Sequence, residues 1–121
     1  MFTDETSQGD ALQSSFSEMR DAGWNPDEDL LWGYFFIDVD PEKFGPLVTR
    51  LKQMGFAFVG ISELTDDRDE PCGTHMLHVE KVETHGPVSL AKRNVEFAQL
   101  AVEFDVLAYD GWDAGKVPAI N

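Results

Sequence analysis

Residues 30–39 read LLWGYFFIDV, and how this stretch is read decides the fold. It is rich in aromatic and β-branched side chains and holds no proline, which makes it a strand. Alternation puts Leu31, Phe35, Ile37 and Val39 on one face, with Gly33 among them, and Trp32, Tyr34 and Phe36 on the other. Both faces are apolar, so both need cover.

Working outward, Asp40 is placed to cap a helix with Pro41 at its first position. Lys43 stands where a capping box would carry Glu. Phe44, Leu47, Val48 and Leu51 form a stripe that runs to about Met54, Pro46 falls early enough to be tolerated, and Gly55 is a natural residue just past the end. FAFVGISEL (56–64) reads as a second strand, TDDRDEPCG (65–73) as a charged loop and THMLHVEKVETH (74–85) as a third strand. Gly86 and Pro87 break that strand. A second long helix then runs from about Ser89 to Phe104, with Leu90, Asn94, Phe97, Ala98, Ala101 and Phe104 facing inward, and a short strand over 107–112 follows.

Upstream, DALQSSFSEMRDAGW (10–24) carries a weaker helical stripe of Leu12, Phe16 and Met19, with Asp10 as expected cap and Gly23 as stop. So short a helix must dock to persist. The order, an extra N-terminal helix followed by βαββαβ, predicts an α+β fold. It is a ferredoxin-like sandwich, with a four-stranded antiparallel sheet and two helices on one face. The expected division is an acidic N-terminal helix and linker over residues 1–29 and a ferredoxin-like domain over 30–121. Such a sheet leaves one face open. Trp32, Tyr34 and Phe36 are expected on it, covered by the N-terminal helix.

The 121 residues carry 23 acids against nine bases, a formal net charge of −14. That field repels phosphate backbones, so direct nucleic-acid binding is disfavoured and a basic protein segment is the natural partner. A single cysteine, Cys72, fits a reducing compartment. The opening MFTDETSQGD has neither the basic nor the apolar region of a signal peptide, and no apolar run approaches a membrane span. A cytoplasmic protein with no membrane association is expected.

Little in the sequence suggests catalysis. No nucleophile elbow, phosphate-cradling glycine motif or Cys/His protease pattern occurs, and no cofactor is expected. Cys72, His75 and His78 have a spacing zinc could use, with His85 as a further candidate, but His75 and His78 fall on opposite faces of a strand. His78 and Glu80 share a face and could form an acid–base pair, although ordinary surface is the simpler reading. Asn94 interrupts the inward stripe of the second long helix. It needs a partner, expected from backbone groups of the segment YDGWDAG (109–115). In that segment Gly111 is expected to relieve crowding, and Trp112 either packs or docks.

The pieces LLWGYFFIDVDPEKFGPLVTRLKQMGF, HMLHVEKVETHG and AKRNVEFAQLAVEFDVLAYDGWDAG together resemble the family called regulator of ribonuclease activity B, also known as ribonuclease E inhibitor. The similarity runs from about Leu31 to Gly115. Its most specific part is the ending: Leu100, Ala101, Glu103, Phe104, then Tyr109, Asp110, Gly111 and Trp112. The resemblance implies a ferredoxin-like sandwich. It also implies an acidic cytoplasmic protein, not an enzyme, that binds a basic scaffold segment of ribonuclease E or a similar nuclease and lowers its activity. Expected partner-binding residues are Trp112 as apolar anchor and Asp66, Asp67, Asp69, Glu70, Asp110 and Asp113 as charges. The alternative is a ferredoxin-like module that binds a small molecule or dimerises without a nuclease partner. Oligomeric state is open.

Overall fold

The computed structural model describes residues 5–23, 25 and 28–115. Helix α1 (Glu5–Asp21) precedes strand β1 (Leu30–Asp38), a 3-10 turn (Pro41–Lys43), α2 (Phe44–Gln53), β2 (Ala57–Thr65), β3 (Pro71–Glu83), α3 (Pro87–Glu103) and β4 (Ala108–Gly115). The four strands form one sheet in the order β2-β3-β1-β4, and every neighbouring pair is antiparallel. The helices α2 and α3 carry the chain across from β1 to β2 and from β3 to β4.

Most elements begin and end where local chemistry directs. The Asp40 side chain accepts the Glu42 N–H and Pro41 opens the turn that leads into α2. Gly55 follows α2 at φ +95°, a conformation that costs an L side chain and suits glycine. Helix α1 ends the same way, with Gly23 at φ +90° and its N–H donated to the Arg20 carbonyl. The helix begins before Asp10, so Asp10 lies within it and does not cap it. Strand β3 begins at Pro71, earlier than composition suggested, because pairing with β2 draws the loop end into the ladder.

The register corrects the expected orientation of the central strand. Trp32, Tyr34 and Phe36 point to the helix layer and are completely buried, whereas Leu31, Phe35 and Ile37 lie half-buried on the opposite face. Phe97 of α3 is the centre of the core. Its ring meets those of Tyr34 at 4.9 Å, Phe56 at 5.3 Å, Phe36 at 5.5 Å and Tyr109 at 5.6 Å. Phe44, Leu47 and Leu51 of α2 close the same core. Helix α1 does cover Trp32, with Phe16 stacked at 6.0 Å, but from the same side as the other helices. Leu12 and Phe16 are therefore part of the one core.

The physical reason is that indole N–H and phenol O–H groups need partners when buried. The helix side supplies both: Trp32 Nε1 donates to the Glu83 carbonyl at 2.9 Å and the Tyr34 hydroxyl donates to Glu83 Oε1 at 2.9 Å. The opposite face carries Met76, His78 and Glu80 beside Phe35, and His78 stacks on Phe35 at 4.5 Å. At the end of β1, buried Asp38 accepts the N–H of Asp40 and of Leu107, each at 2.8 Å. The Asp40 and Leu107 N–H groups outweigh burial and hold this carboxyl below its ordinary pKa. It pins the start of the turn before α2 to the loop that leads into β4.

Candidate functional site

The segment YDGWDAG lies in β4, the strand at one edge of the sheet. Phe36 pairs with Tyr109 and Phe35 with Gly111, so Asp110 is left over as a bulge. In a regular strand Tyr109 and Trp112, three residues apart, would face opposite sides. The bulge turns both toward the helices. Tyr109 packs on Phe36 and Phe97 and donates its hydroxyl to Asn94 Oδ1 at 2.6 Å. The inward amide of α3 is thus met by a side chain of the β4 segment. Burial pushes the Tyr109 phenol up, so it stays a donor across the physiological range.

Gly111 sits at φ +118° beside the bulge, and a Cβ there would meet open space. Backbone conformation selects glycine here, and the crowding expected from sequence is absent. Gly111→Ala is expected to cost on the order of 1 kcal/mol or slightly more, read as a lower denaturant midpoint at unchanged slope. A melt superimposable on the parent's would mean that the bulge relaxes without strain.

Trp112 is half-buried, with its ring 5.5 Å from that of Trp32. It also lines a groove of about 420 Å³ between α1 and β4, together with Ser15, Glu18 and Met19 of the helix, Ala22 just past its end, and Asp113 and Ala114 of the strand. Packing and exposure coexist in this one side chain. The Asp113 carboxylate reaches to the opposite sheet face: a Cβ built on Gly33 would lie 2.3 Å from Asp113 Oδ1 and 2.8 Å from His78 Nε2. Gly33 leaves the room these two polar groups fill.

The candidate acids do not form one cluster. Asp110 is exposed on the bulge of β4. Asp66, Asp67, Asp69 and Glu70 are exposed in the turn joining β2 to β3, and β1 lies between that hairpin and β4. Asp66 builds its own turn, as its carboxylate accepts the N–H groups of Arg68 and Glu70. Asp69 takes a positive φ of 65° there.

The densest polar chemistry is elsewhere and buried. Glu83 receives Arg93 at 2.7 and 3.3 Å, the Tyr34 hydroxyl at 2.9 Å and His85 Nε2 at 3.2 Å. His85 also contacts Ser89 Oγ through Nδ1 at 2.9 Å and sets its ring edge-on to Trp32. The Arg93 guanidinium lies 5.0 to 5.8 Å from the ring centres of Phe56, Phe97 and Tyr34. Burial alone would raise the Glu83 carboxyl. The hydrogen bonds from His85 and Tyr34 and the charge of Arg93 prevail, and hold it at about 2. Burial and the Glu83 charge push the Tyr34 phenol up. Each member is occupied by another, and the set locks β1, β3 and α3 together.

Sequence reasoning missed this network, although a signal was present. Glu83 shares the strand parity of Leu77 and Val79, and Arg93 shares the inward stripe of Leu90 and Phe97. Two opposite charges at apolar-face positions point to a buried pair. Of the zinc candidates, His85 is engaged in the network and Cys72 is exposed. His75 and His78 pair with Asp38 and Phe35, positions of opposite facing. Among the described residues no three His, Cys, Asp or Glu side chains converge as a metal site requires.

A single antiparallel sheet backed by three helices, with a groove lined by Trp112, Met19 and Glu18 between α1 and the edge strand β4, defines a mixed α/β domain. The family model of regulator of ribonuclease activity B matches residues 10–114, and the chain belongs to that family. It is a family of regulatory proteins, named for control of ribonuclease activity. The match spans both walls of the groove, residues 15–22 and 112–114. A search of curated proteins returned no match. Among the described residues no helix is long and apolar enough to cross a membrane.

Proposed function

We propose that this protein is a cytoplasmic, non-enzymatic regulator that binds ribonuclease E or a similar endoribonuclease and lowers its cleavage of RNA. Family membership across residues 10–114 is the observation that carries this reading. The order β2-β3-β1-β4, with a helix in each crossover, supports reading the domain as a ferredoxin-like sandwich carrying an extra N-terminal helix. The excess of acids supports a basic segment of the nuclease as the contact, since a carboxylate field steers arginine-rich chain and repels RNA. Inhibition then works by occupancy. The nuclease's basic segment, once held by acids, is withdrawn from RNA. Trp112 supplies apolar contact, and Asp66, Asp67, Asp69, Glu70, Asp110 and Asp113 supply rate and orientation.

The test is an RNA cleavage assay with purified nuclease, run beside a titration of its basic scaffold segment against the protein. Inhibition that requires that segment is expected. Affinity is expected to fall at least about tenfold from low to high salt, because exposed charges are screened beyond roughly 8 Å at physiological ionic strength. Full nuclease activity at saturating protein would sink the proposal. A salt-independent affinity would remove the electrostatic part of it.

A further inference from the structure

A groove runs between α1 and β4. Its helical wall is Ser15, Glu18 and Met19, one stripe of α1, continued by Ala22 just past the helix end. Its floor includes Trp112, which rests against Trp32. Its other wall is β4, an edge strand whose outer backbone groups face no further strand among the described residues. Glu18 supplies the carboxylate of this groove; Asp113 lines it too, but its carboxylate turns to the opposite sheet face. Asp110 is exposed farther along the same strand, and Asp21 is exposed at the end of α1.

We propose that this groove is the docking site for an extended basic segment of a protein partner, which lays an arginine side chain along Trp112 and Met19 with its guanidinium at Glu18. The proposal rests on the regulatory reading above and gives it a place. Guanidinium groups stack on indole faces and pair with carboxylates, so a tryptophan next to acids selects arginine over other side chains. The edge strand offers backbone donors and acceptors to an extended chain, which adds affinity independent of the segment's sequence. A volume of about 420 Å³ suits one or two side chains and not a folded element. Nucleic acid would bring phosphates against Glu18.

The experiment measures binding of a fluorescein-labelled arginine-rich peptide with interspersed leucines, and of the nuclease's basic scaffold segment, to the full chain. Glu18→Lys and Ala22→Lys alter the groove at exposed positions. Glu63→Lys on β2 and Val102→Lys on α3 add comparable charge at exposed positions outside the groove. Circular dichroism melts establish that all four fold like the parent. The groove variants are expected to bind both probes at least about tenfold more weakly, and the β2 and α3 variants within about twofold of the parent. Equal losses in the two sets, or parental affinity in the groove variants, would overturn the groove and leave the regulatory reading standing. A parent protein that binds neither probe would overturn both. Sedimentation showing a dimer that Glu18→Lys dissolves would overturn the proposal by identifying the occupant as a second copy of this chain.

Discussion

Arg93→Ala is expected to destabilise the protein by about 3–5 kcal/mol, because it leaves the Glu83 carboxylate buried without its cation. The Arg93 and Glu83 side chains are 18% and 10% exposed, so water cannot replace the lost partner easily. The guanidinium also fills space between Phe56, Phe97 and Tyr34, and its loss opens that aromatic cage. Denaturant melts measure the cost, and a loss below about 1 kcal/mol would show that the pair is solvated. Acid titration supplies an independent check. Glu83 ionises at about 2 in the folded chain against an ordinary value of 4.5. A carboxyl whose folded pKa is depressed releases its proton more readily when folded, so its stabilisation is complete above about 4.5 and disappears as pH falls from there toward 2. The shift corresponds to about 3 kcal/mol. In Arg93→Ala this acid-sensitive part should shrink, since the cation that depresses the carboxyl is gone. An unchanged acid limb would assign the depression to Tyr34 and His85 alone. A double variant, Arg93→Met with Glu83→Leu, is expected to recover most of the stability, because apolar replacement of both partners removes the stranded charge.

Phe97→Ala is expected to cost about 3–5 kcal/mol, toward the upper end. Its ring is completely buried and contacts four other aromatic rings, two on β1, one just before β2 and one on β4. Rigid rings around a deleted ring collapse poorly, so a cavity persists and its lining loses dispersion contacts. Phe97→Leu should recover more than half of the loss. The readout is the shift in denaturant midpoint at constant slope. A cost near 1 kcal/mol would mean that Tyr34, Phe36, Phe56 and Tyr109 repack into the space. Because Phe97 and Arg93 share a cage, the two alanine variants should not add. A double-mutant cycle is expected to show a coupling of about 0.5–3 kcal/mol.

The two variants mark where the sequence stopped being informative. Residues 30–39 announced a strand, but the cover expected on both faces came on one: the helices back Trp32, Tyr34 and Phe36, while Leu31, Phe35 and Ile37 stay half-buried on the other. Gly23, Asp40, Pro41, Gly55 and Gly86 marked the boundaries of the helices, because capping and left-handed turns depend on the residue at hand and its near neighbours. The stripe of α2 was equally legible, since a period of 3.6 is a local property; that of α3 was legible at Leu90, Phe97 and Ala101, whereas Ala98, expected inward, is exposed and Leu100 is buried in its place. The resemblance carried by Leu100, Ala101, Glu103, Phe104 and Tyr109 to Trp112 pointed to the family that the comparison then showed. The candidate acids were visible as a list of residues but not as an arrangement.

Which face of β1 turned inward was not local. Trp32 and Tyr34 follow the side that offers Glu83 as acceptor, a residue about fifty positions away in the chain. The ion pair of Glu83 with Arg93, the meeting of Tyr109 with Asn94 and the bulge that turns Tyr109 and Trp112 to the same side all depend on strand register. So does the separation of Asp113 from Trp112 to opposite faces, which divides a promising sequence cluster into two different environments. The groove itself needs α1 beside β4, two elements at opposite ends of the chain. Neighbouring residues and composition were enough for the elements, most helix ends and the charge; the start of α1 before Asp10 and that of β3 at Pro71 escaped them. Only the tertiary structure decided the facing, the buried pairs and the groove, because each is a contact between distant segments whose free energy exists only once the sheet has closed its register.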